Sequence, residues 1–159
     1  MYQQGQYVVY GSHGVCQIVD LEEKNIDHKP VQYYALEPLT RPGTRYYIPV
    51  HNAVAVGKLR LPLSREELKI MINSPVDRDC WIAEENRRKL YYRELISNLE
   101  PQTLFMMVRL LRLHRKEQLE NSRKFHVSDA NFLKDAENLL AAEFAFVLDI
   151  TKEEAFNLI

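Results

Sequence analysis

The spacing of hydrophobic and polar residues changes near residue 60. Before that point, short runs of β-branched and aromatic residues lie between turn residues, which indicates β-strands. Segment 22–30 is polar and is predicted to be a loop. The predicted strands are Tyr7–Tyr10, Val15–Leu21, Val31–Leu39, Arg45–Val50 and a short fifth strand, Ala53–Val56. Five short, closely connected strands predict a small SH3/Tudor-like β-barrel.

After residue 60, apolar residues recur at the three- and four-residue spacing of amphipathic helices. Capping signals divide this region into helices. The predicted starts are Ser64 with Glu67, Cys80, Pro101, Ser128, and Thr151 with Glu154. Four or five helices with short links predict a small bundle. The predicted fold class is therefore α+β: an amino-terminal five-stranded β-barrel, residues 1–59, followed by a carboxy-terminal all-helical bundle, residues 60–159.

The composition is that of a folding, soluble chain, with 46% hydrophobic and 27% charged residues in 159 positions. No apolar run approaches the roughly 18–20 residues of a membrane span, and the first residues lack the pattern of a secretory signal. Cys16 and Cys80 have no metal-ligand spacing and are interpreted as reduced thiols. We therefore expect a cytoplasmic protein with no membrane partner.

Charge is unevenly distributed behind a net value of -1. Residues 1–59 are neutral, residues 60–126 carry a net +4, and residues 127–159 carry a net -5. The overall balance argues against a general nucleic-acid binder, but the middle third could bind nucleic acid locally.

The stretch Asp79–Arg93 contains the only tryptophan, Trp81, followed by a basic cluster. From the residues alone, a single tryptophan at a helix start is more often a core residue, and a basic cluster is often a solvated helix face. A further basic set, Arg109, Arg112, Arg115 and Lys116, lies on one face of the third helix. That face could also pair with the acidic last third of the chain.

No enzyme motif is found: the sequence has no phosphate-binding glycine loop, nucleophile elbow or zinc-protease motif. His13 has no partner at ligand spacing, so a turn or packing role is favoured over a metal site. The tyrosines at positions 33, 34, 46 and 47 could form an aromatic cage, but core packing is the commoner use. Cys80 is interpreted as inert packing. We therefore expect a non-enzyme without cofactor or metal.

Several short motifs, in their order, resemble the CarD/CdnL family of bacterial transcription regulators. In the first part these are Tyr7-Val8-Val9-Tyr10, His13-Gly14-Val15, Tyr33-Tyr34-Ala35-Leu36 and Ile48-Pro49-Val50. In the second part they are Trp81, Leu95-Ile96-Ser97, Val108-Arg109-Leu110-Leu111 and Leu139-Leu140-Ala141-Ala142-Glu143. The family shares its first domain with transcription-repair coupling factor. This chain has no nucleotide-binding loop for a motor, so a free-standing regulator is the better match.

The resemblance implies that a Tudor-like first domain binds the β subunit of RNA polymerase. The matching positions are Lys24, Ile26 and Tyr47, and the family often has arginine where Lys24 and Tyr47 stand here. It also implies that the helical domain contacts promoter DNA at the upstream edge of the bubble, with Trp81 as a minor-groove wedge. The predicted DNA-binding residues are Trp81, Arg87, Arg88, Lys89, Arg93, Arg109, Arg112 and Lys116. Family members commonly have arginine where Ala83 or Glu84 stands.

The leading hypothesis is a monomeric regulator that contacts RNA polymerase and DNA, without strong sequence specificity, and stabilises the open promoter complex. The alternative is a protein–protein adaptor whose helical bundle docks another protein without contacting DNA. A small enzyme that uses His13 or the tyrosines is a third, weaker hypothesis.

Overall fold

The computed structural model describes residues 1–98 and 100–159, and the chain divides into two units, Met1–Pro62 and Leu63–Ile159. The first unit contains a five-stranded antiparallel sheet, a 3-10 turn at Gly11–His13 and one short α-helix, and the second contains helices. The predicted order of a β region followed by helices is confirmed. Closure of the sheet into a barrel stays a prediction, because the strand pairings form an open series.

The sheet of the first unit has the strand order β4-β3-β2-β1-β5. Its strands are β1 Tyr7–Tyr10, β2 Val15–Ile26, β3 Lys29–Pro38, β4 Tyr46–Pro49 and β5 Leu59–Arg60. Alternation brings buried residues to one core, formed by Val8, Cys16, Ile18, Tyr34, Leu36, Ile48 and Leu59. The register between β2 and β3 shifts between Ile18 and Asp20, which indicates a β-bulge.

The loop predicted at segment 22–30 is wrong, because β2 and β3 continue through it as a long hairpin. Asp27 and His28 form the connection, with φ values of 50° and 63°. Two successive left-handed residues give a turn whose twist matches that of the flanking strands. The sequence pattern missed the hairpin because its outer part is mostly exposed and polar, so it lacks an apolar alternation.

The predicted fifth strand at Ala53–Val56 is also wrong, because this segment forms helix α1. The Asn52 side chain accepts a hydrogen bond from the Ala55 backbone N–H at 3.0 Å, which caps the turn. The fifth strand lies a few residues later, at Leu59–Arg60, and pairs with β1. The hydrogen bond that caps this helical turn therefore favours helix despite the β propensity of its two valines.

We expect the double substitution Asp27→Asn with His28→Gly to stabilise the first unit by about 0.5–1 kcal/mol. The reason is that glycine and asparagine adopt left-handed backbone at a lower cost than other residues. The measurement is hydrogen exchange of the β2 and β3 amides. The matched control is His51→Gly, in an exposed turn outside the left-handed region, which should give no gain. Equal protection in both variants would contradict the prediction.

The described residues of the second unit, 63–98 and 100–159, form five α-helices. They are α2 Arg65–Asn73, α3 Glu85–Asn98, α4 Pro101–Glu120, α5 Val127–Leu148 and α6 Lys152–Leu158. The predicted capping boxes at Ser64 and Thr151 are confirmed, and Pro101 is the first residue of α4 as predicted. The core is built mainly from the inner faces of α4 and α5. It includes Leu104, Phe105, Met107, Val108, Leu111, Phe132, Leu133, Ala136, Leu140, Ala141 and Phe144.

Two predicted helix starts are wrong. The helix predicted from Cys80 begins at Glu85, and the segment before it holds only a short 3-10 turn, Arg78–Cys80. The Glu84 carboxylate accepts from the backbone N–H groups of Asn86 and Arg87, at 2.9 and 2.7 Å, which starts α3 there. The helix predicted to be capped by Ser128 begins at Val127, and His126 occupies the N-cap position.

Candidate functional site

In the first unit, Lys24, Arg45 and Tyr47 gather around Glu22, and these four residues are called the Glu22 cluster. The Lys24 ammonium lies 3.7 Å from a Glu22 oxygen and 3.3 Å from the centroid of the Tyr47 ring. Arg45 and the Tyr47 hydroxyl both donate to Glu22 Oε1, at 3.2 and 3.4 Å. The result is an exposed surface with an aromatic ring, two cations and one carboxylate.

The sheet register explains why these residues meet. β3 lies between β2 and β4, with Tyr33 opposite Glu22 and Ala35 opposite Tyr47. Lys24 and Ile26 share a face of β2 with Glu22, because side chains on one face of a strand recur every second residue. Ile26 is 47% exposed at the end of the hairpin. The three predicted polymerase-binding residues therefore lie along one side of the sheet.

Glu22 and Arg45 belong to this surface but were missed from the sequence. They are 23 residues apart in the chain; Glu22 lies on β2, whereas Arg45 directly precedes β4, and these two strands do not pair with each other. No local motif joins them, and only the placement of β4 beside β3 brings Arg45 to Glu22. Strand pairing is therefore the signal that would have found them.

In the second unit, Trp81 is half-buried and directly follows the short 3-10 turn. Its ring centroid lies 4.4 Å from that of His114 on α4. The central guanidinium carbon of Arg88 lies 4.8 Å from the Trp81 ring centroid. The ring is neither a fully buried core residue nor a free surface side chain.

Arg88, Tyr92 and Asp129 form a buried hydrogen-bonded group, called the Arg88 cluster. Arg88 donates to both oxygens of Asp129, at 3.0 and 2.7 Å, and to the Tyr92 hydroxyl at 3.1 Å. The Tyr92 hydroxyl donates to Asp129 Oδ1 at 2.7 Å. Arg88 is 3% exposed and Asp129 is fully buried. This geometry removes Arg88 from the surface cations among the predicted DNA-binding residues.

The Arg88 cluster keeps its charges despite its burial. Burial alone raises the pKa of Asp129, but the hydrogen bonds from Arg88 and Tyr92 outweigh it and hold that pKa below the usual value. Burial and the hydrogen bond to Asp129 raise the pKa of Tyr92, so its hydroxyl stays protonated. Burial also lowers the pKa of His114 beneath Trp81, which favours a neutral imidazole at pH 7.

The other predicted DNA-binding cations differ in their availability. Arg87 and Arg93 are exposed on α3, whereas Lys89 pairs with Glu85 at 2.6 Å. Arg109 is half-buried and donates to the Ser74 carbonyl oxygen. Arg112 pairs with Glu137 of α5 at 2.6 Å and also donates to the Ile159 carbonyl oxygen.

The Lys116 side chain is 73% exposed, and its ammonium lies 3.9 Å from a Glu120 carboxylate oxygen. On the face formed by Arg109, Arg112 and Lys116, the first two residues therefore have partners within the unit. The pair of Arg112 with an acid of α5 agrees with the alternative that this face pairs with the acidic last third of the chain.

A further exposed cation, Arg78, lies beside Trp81 and was not among the predicted DNA-binding residues. Arg78 of the 3-10 turn pairs with Glu117 at 3.2 Å. Together with Trp81, Leu110, Leu113 and His114, this pair lines a small cavity of about 170 Å³. Arg115 on α4 and Arg123 and Lys124 in the following turn are also exposed. Charge counting found the basic third of the chain but did not predict that Arg78 lies beside the tryptophan.

Among residues 1–98 and 100–159, no helix is long and apolar enough to cross a membrane. Within the same described residues, no group of three or more His, Cys, Asp and Glu side chains could hold a metal ion.

Comparison with known proteins identifies the first unit. Residues 2–65 match the family model of the CarD-like/TRCF RID domain, which covers nearly all of that unit and reaches the first residue of α2. No curated protein matches the chain at a significant level of similarity. A CarD-like RID domain suggests an interaction with RNA polymerase in general terms. The chain therefore carries a domain of the CarD-like/TRCF RID family at residues 2–65.

Proposed function

We propose that this protein is a transcription regulator that binds the β subunit of RNA polymerase through its first unit. Its helical unit then contacts promoter DNA at the upstream edge of the bubble and stabilises the open complex. The observation that carries the proposal is a half-buried Trp81 that lines a cavity with the exposed Arg78, in a protein with a CarD-like RID domain. We also propose that it acts by binding alone, as a cytoplasmic monomer without cofactor.

The Glu22 cluster supports the polymerase contact. Lys24, Ile26 and Tyr47 present a cation, an aliphatic side chain and an aromatic ring along one side of the sheet. Aromatic residues and arginine are enriched at protein interfaces, and here Arg45 adds a guanidinium to the same surface. Lys24 held over the Tyr47 ring offers a preformed contact in place of the arginines common in the family.

The surroundings of Trp81 support the DNA contact. An apolar ring that enters the minor groove helps to hold a base step unstacked, while nearby cations bind phosphates and set the orientation. Arg87, Arg93 and Lys116 are exposed for that role. The acids near Trp81 oppose phosphate less than their positions in sequence suggest. Glu85 pairs with Lys89, and Glu84 accepts from helix N–H groups.

We expect Trp81→Ala to shorten the lifetime of the open complex about 5–30-fold on a weak promoter. This range corresponds to a loss of about 1–2 kcal/mol from an interaction made only in the open state. The measurement is the decay of open complexes formed with purified polymerase after addition of a competitor. β-subunit binding should be unchanged. The matched control is Leu90→Ala, a 60% exposed apolar residue on α3, which should not alter the lifetime.

The adaptor alternative is favoured by one feature, an open groove between α3 and α5. Tyr92, Ile96 and Phe132 contribute its apolar lining, and Arg93 and Asp135 its polar lining. Salt dependence separates the two functions. If the helical unit neutralises phosphates, its effect on the open complex should fall steeply as salt rises. An effect that barely changes with salt, together with full activity of Trp81→Ala, would favour the adaptor.

A further inference from the structure

One side chain contacts both the ring of Trp81 and the backbone that follows it. Arg88 Nη1 donates to the carbonyl oxygens of Ile82 and Ala83, each at 3.0 Å. The same guanidinium lies 4.8 Å from the centroid of the Trp81 ring. Arg88 is seven positions beyond Trp81 and lies one turn inside α3, so a helix side chain holds the irregular segment before it.

The orientation of this guanidinium is set by hydrogen bonds on the edge opposite the Trp81 segment. Nε and Nη2 donate to Asp129 of α5, and Nε also reaches the Tyr92 hydroxyl. A guanidinium is planar and its N–H groups have a fixed fork geometry. When Asp129 and Tyr92 hold one edge, the remaining N–H groups must point at the segment that carries Trp81. The ammonium of lysine cannot satisfy both sides at once.

The segment from Trp81 to Glu84 needs this support, because it lies between the 3-10 turn and α3 and has no helical or strand structure. The Trp81 backbone N–H donates to the Arg78 carbonyl oxygen at 3.2 Å, which fixes one end of the segment. The carbonyl oxygens of Ile82 and Ala83 accept hydrogen bonds from Arg88. Without Arg88 the Trp81 ring could sample more orientations before any partner binds.

We infer that Arg88 is a positioning residue that holds the Trp81 ring in one orientation in the free protein. This inference rests on the proposed function for its consequence, because a ring oriented in advance loses less conformational entropy when it enters DNA. Arg88 itself does not contact the phosphates. The sequence analysis counted Arg88 among the DNA contacts, whereas in this inference Arg88 affects DNA binding only through the Trp81 ring.

The first test uses the free full-length protein, without DNA or polymerase. Trp81 is the only tryptophan, so its fluorescence anisotropy and its quenching by acrylamide report on this ring alone. Arg88→Lys should lower the anisotropy and increase the quenching at a temperature where far-UV circular dichroism shows full helix content. The control Arg65→Lys removes a guanidinium that donates to the Val147 carbonyl oxygen, and it should leave both signals unchanged.

A merely structural role for Arg88 predicts a different result: lower thermal stability with unchanged Trp81 anisotropy and quenching in the folded protein. That result would overturn the inference. If Arg88→Lys does not fold, Tyr92→Phe provides the second variant. It removes the hydroxyl that bonds Arg88 and Asp129 but keeps the ring stacked on Phe132, and it should give the same changes in smaller size.

The second test is a double-mutant comparison of open-complex lifetimes. Arg88→Lys should shorten the lifetime by up to the same roughly 5–30-fold expected for Trp81→Ala. The double variant should equal Trp81→Ala alone, since Arg88 acts through that ring. Additive losses would show that Arg88 acts independently and would overturn the inference. No effect of Trp81→Ala together with a mobile ring in Arg88→Lys would reject the proposed function but retain the positioning role.

Discussion

Replacing Asp129 with asparagine should lower the free energy of unfolding of the helical unit by about 3–5 kcal/mol. The substitution keeps the shape of the side chain but leaves the buried charge of Arg88 without its partner. Breaking a buried pair costs more than the pair contributes, because the remaining charge is desolvated and unpaired. The measurement is urea unfolding of the full chain followed by Trp81 fluorescence, which reports on the unit that contains Asp129.

The matched control is Asp135→Asn on the same helix. Asp135 is exposed, so its replacement should change the free energy of unfolding by less than about 0.5 kcal/mol. Equal effects of the two substitutions would show that the Arg88–Asp129 pair is not the source of the loss. A loss for Asp129→Asn below about 1 kcal/mol would mean that water reaches Arg88 and compensates its charge.

Acid should weaken the wild-type unit through the same group. The folded-state pKa of Asp129 lies below its ordinary value, so its ionised form stabilises the fold above the pKa of an unfolded aspartate. That contribution falls as the pH drops toward the lowered folded-state pKa. Asp129→Asn should lack this part of the acid dependence.

The second large effect is expected for Phe144→Ala, at about 3–5 kcal/mol of unfolding free energy. Phe144 of α5 is fully buried, and its ring centroid lies 5.8 Å from that of Phe105 on α4. Its removal leaves a cavity between the two helices that carry the partners of the Trp81 region, His114 and Asp129. Thermal and urea unfolding measure the loss.

Phe146→Ala, two residues further along α5, provides the control for Phe144→Ala. Phe146 is half-buried, so its truncation should cost clearly less because solvent can fill the space. Comparable losses at both positions would contradict the assignment of Phe144 to the centre of the α4–α5 core.

Local signals in the sequence predicted most helix boundaries. Ser64 with Glu67 and Thr151 with Glu154 each satisfy the first N–H groups of a helix, and Pro101 suits the first helical position. These interactions span three residues or fewer, so a short window of sequence contains all of their physics. The same window failed at Glu85, where the Glu84 carboxylate begins the helix instead of the residues around Cys80.

The predicted strands were less complete because sheet pairing is not local. The outer parts of β2 and β3 are exposed, and their residues carry no apolar alternation. Their pairing depends on a turn in which Asp27 and His28 adopt left-handed backbone, which neither residue type requires. The Glu22 cluster depends on that pairing, which is why the sequence did not predict Glu22 and Arg45. Lys24 and Tyr47 were predicted only through the family resemblance.

Local sequence patterns were sufficient to predict a β region followed by helices, the capping of α2 and α6, the basic middle third and the isolated Trp81. Each of these depends on composition or on residues close together in the chain. The burial of Arg88, which the sequence grouped with the surface cations, depends instead on tertiary packing. Its partner Asp129 is 41 residues away, and the packing of α3 against α5 buries the pair. A buried charge is stable only with such a partner.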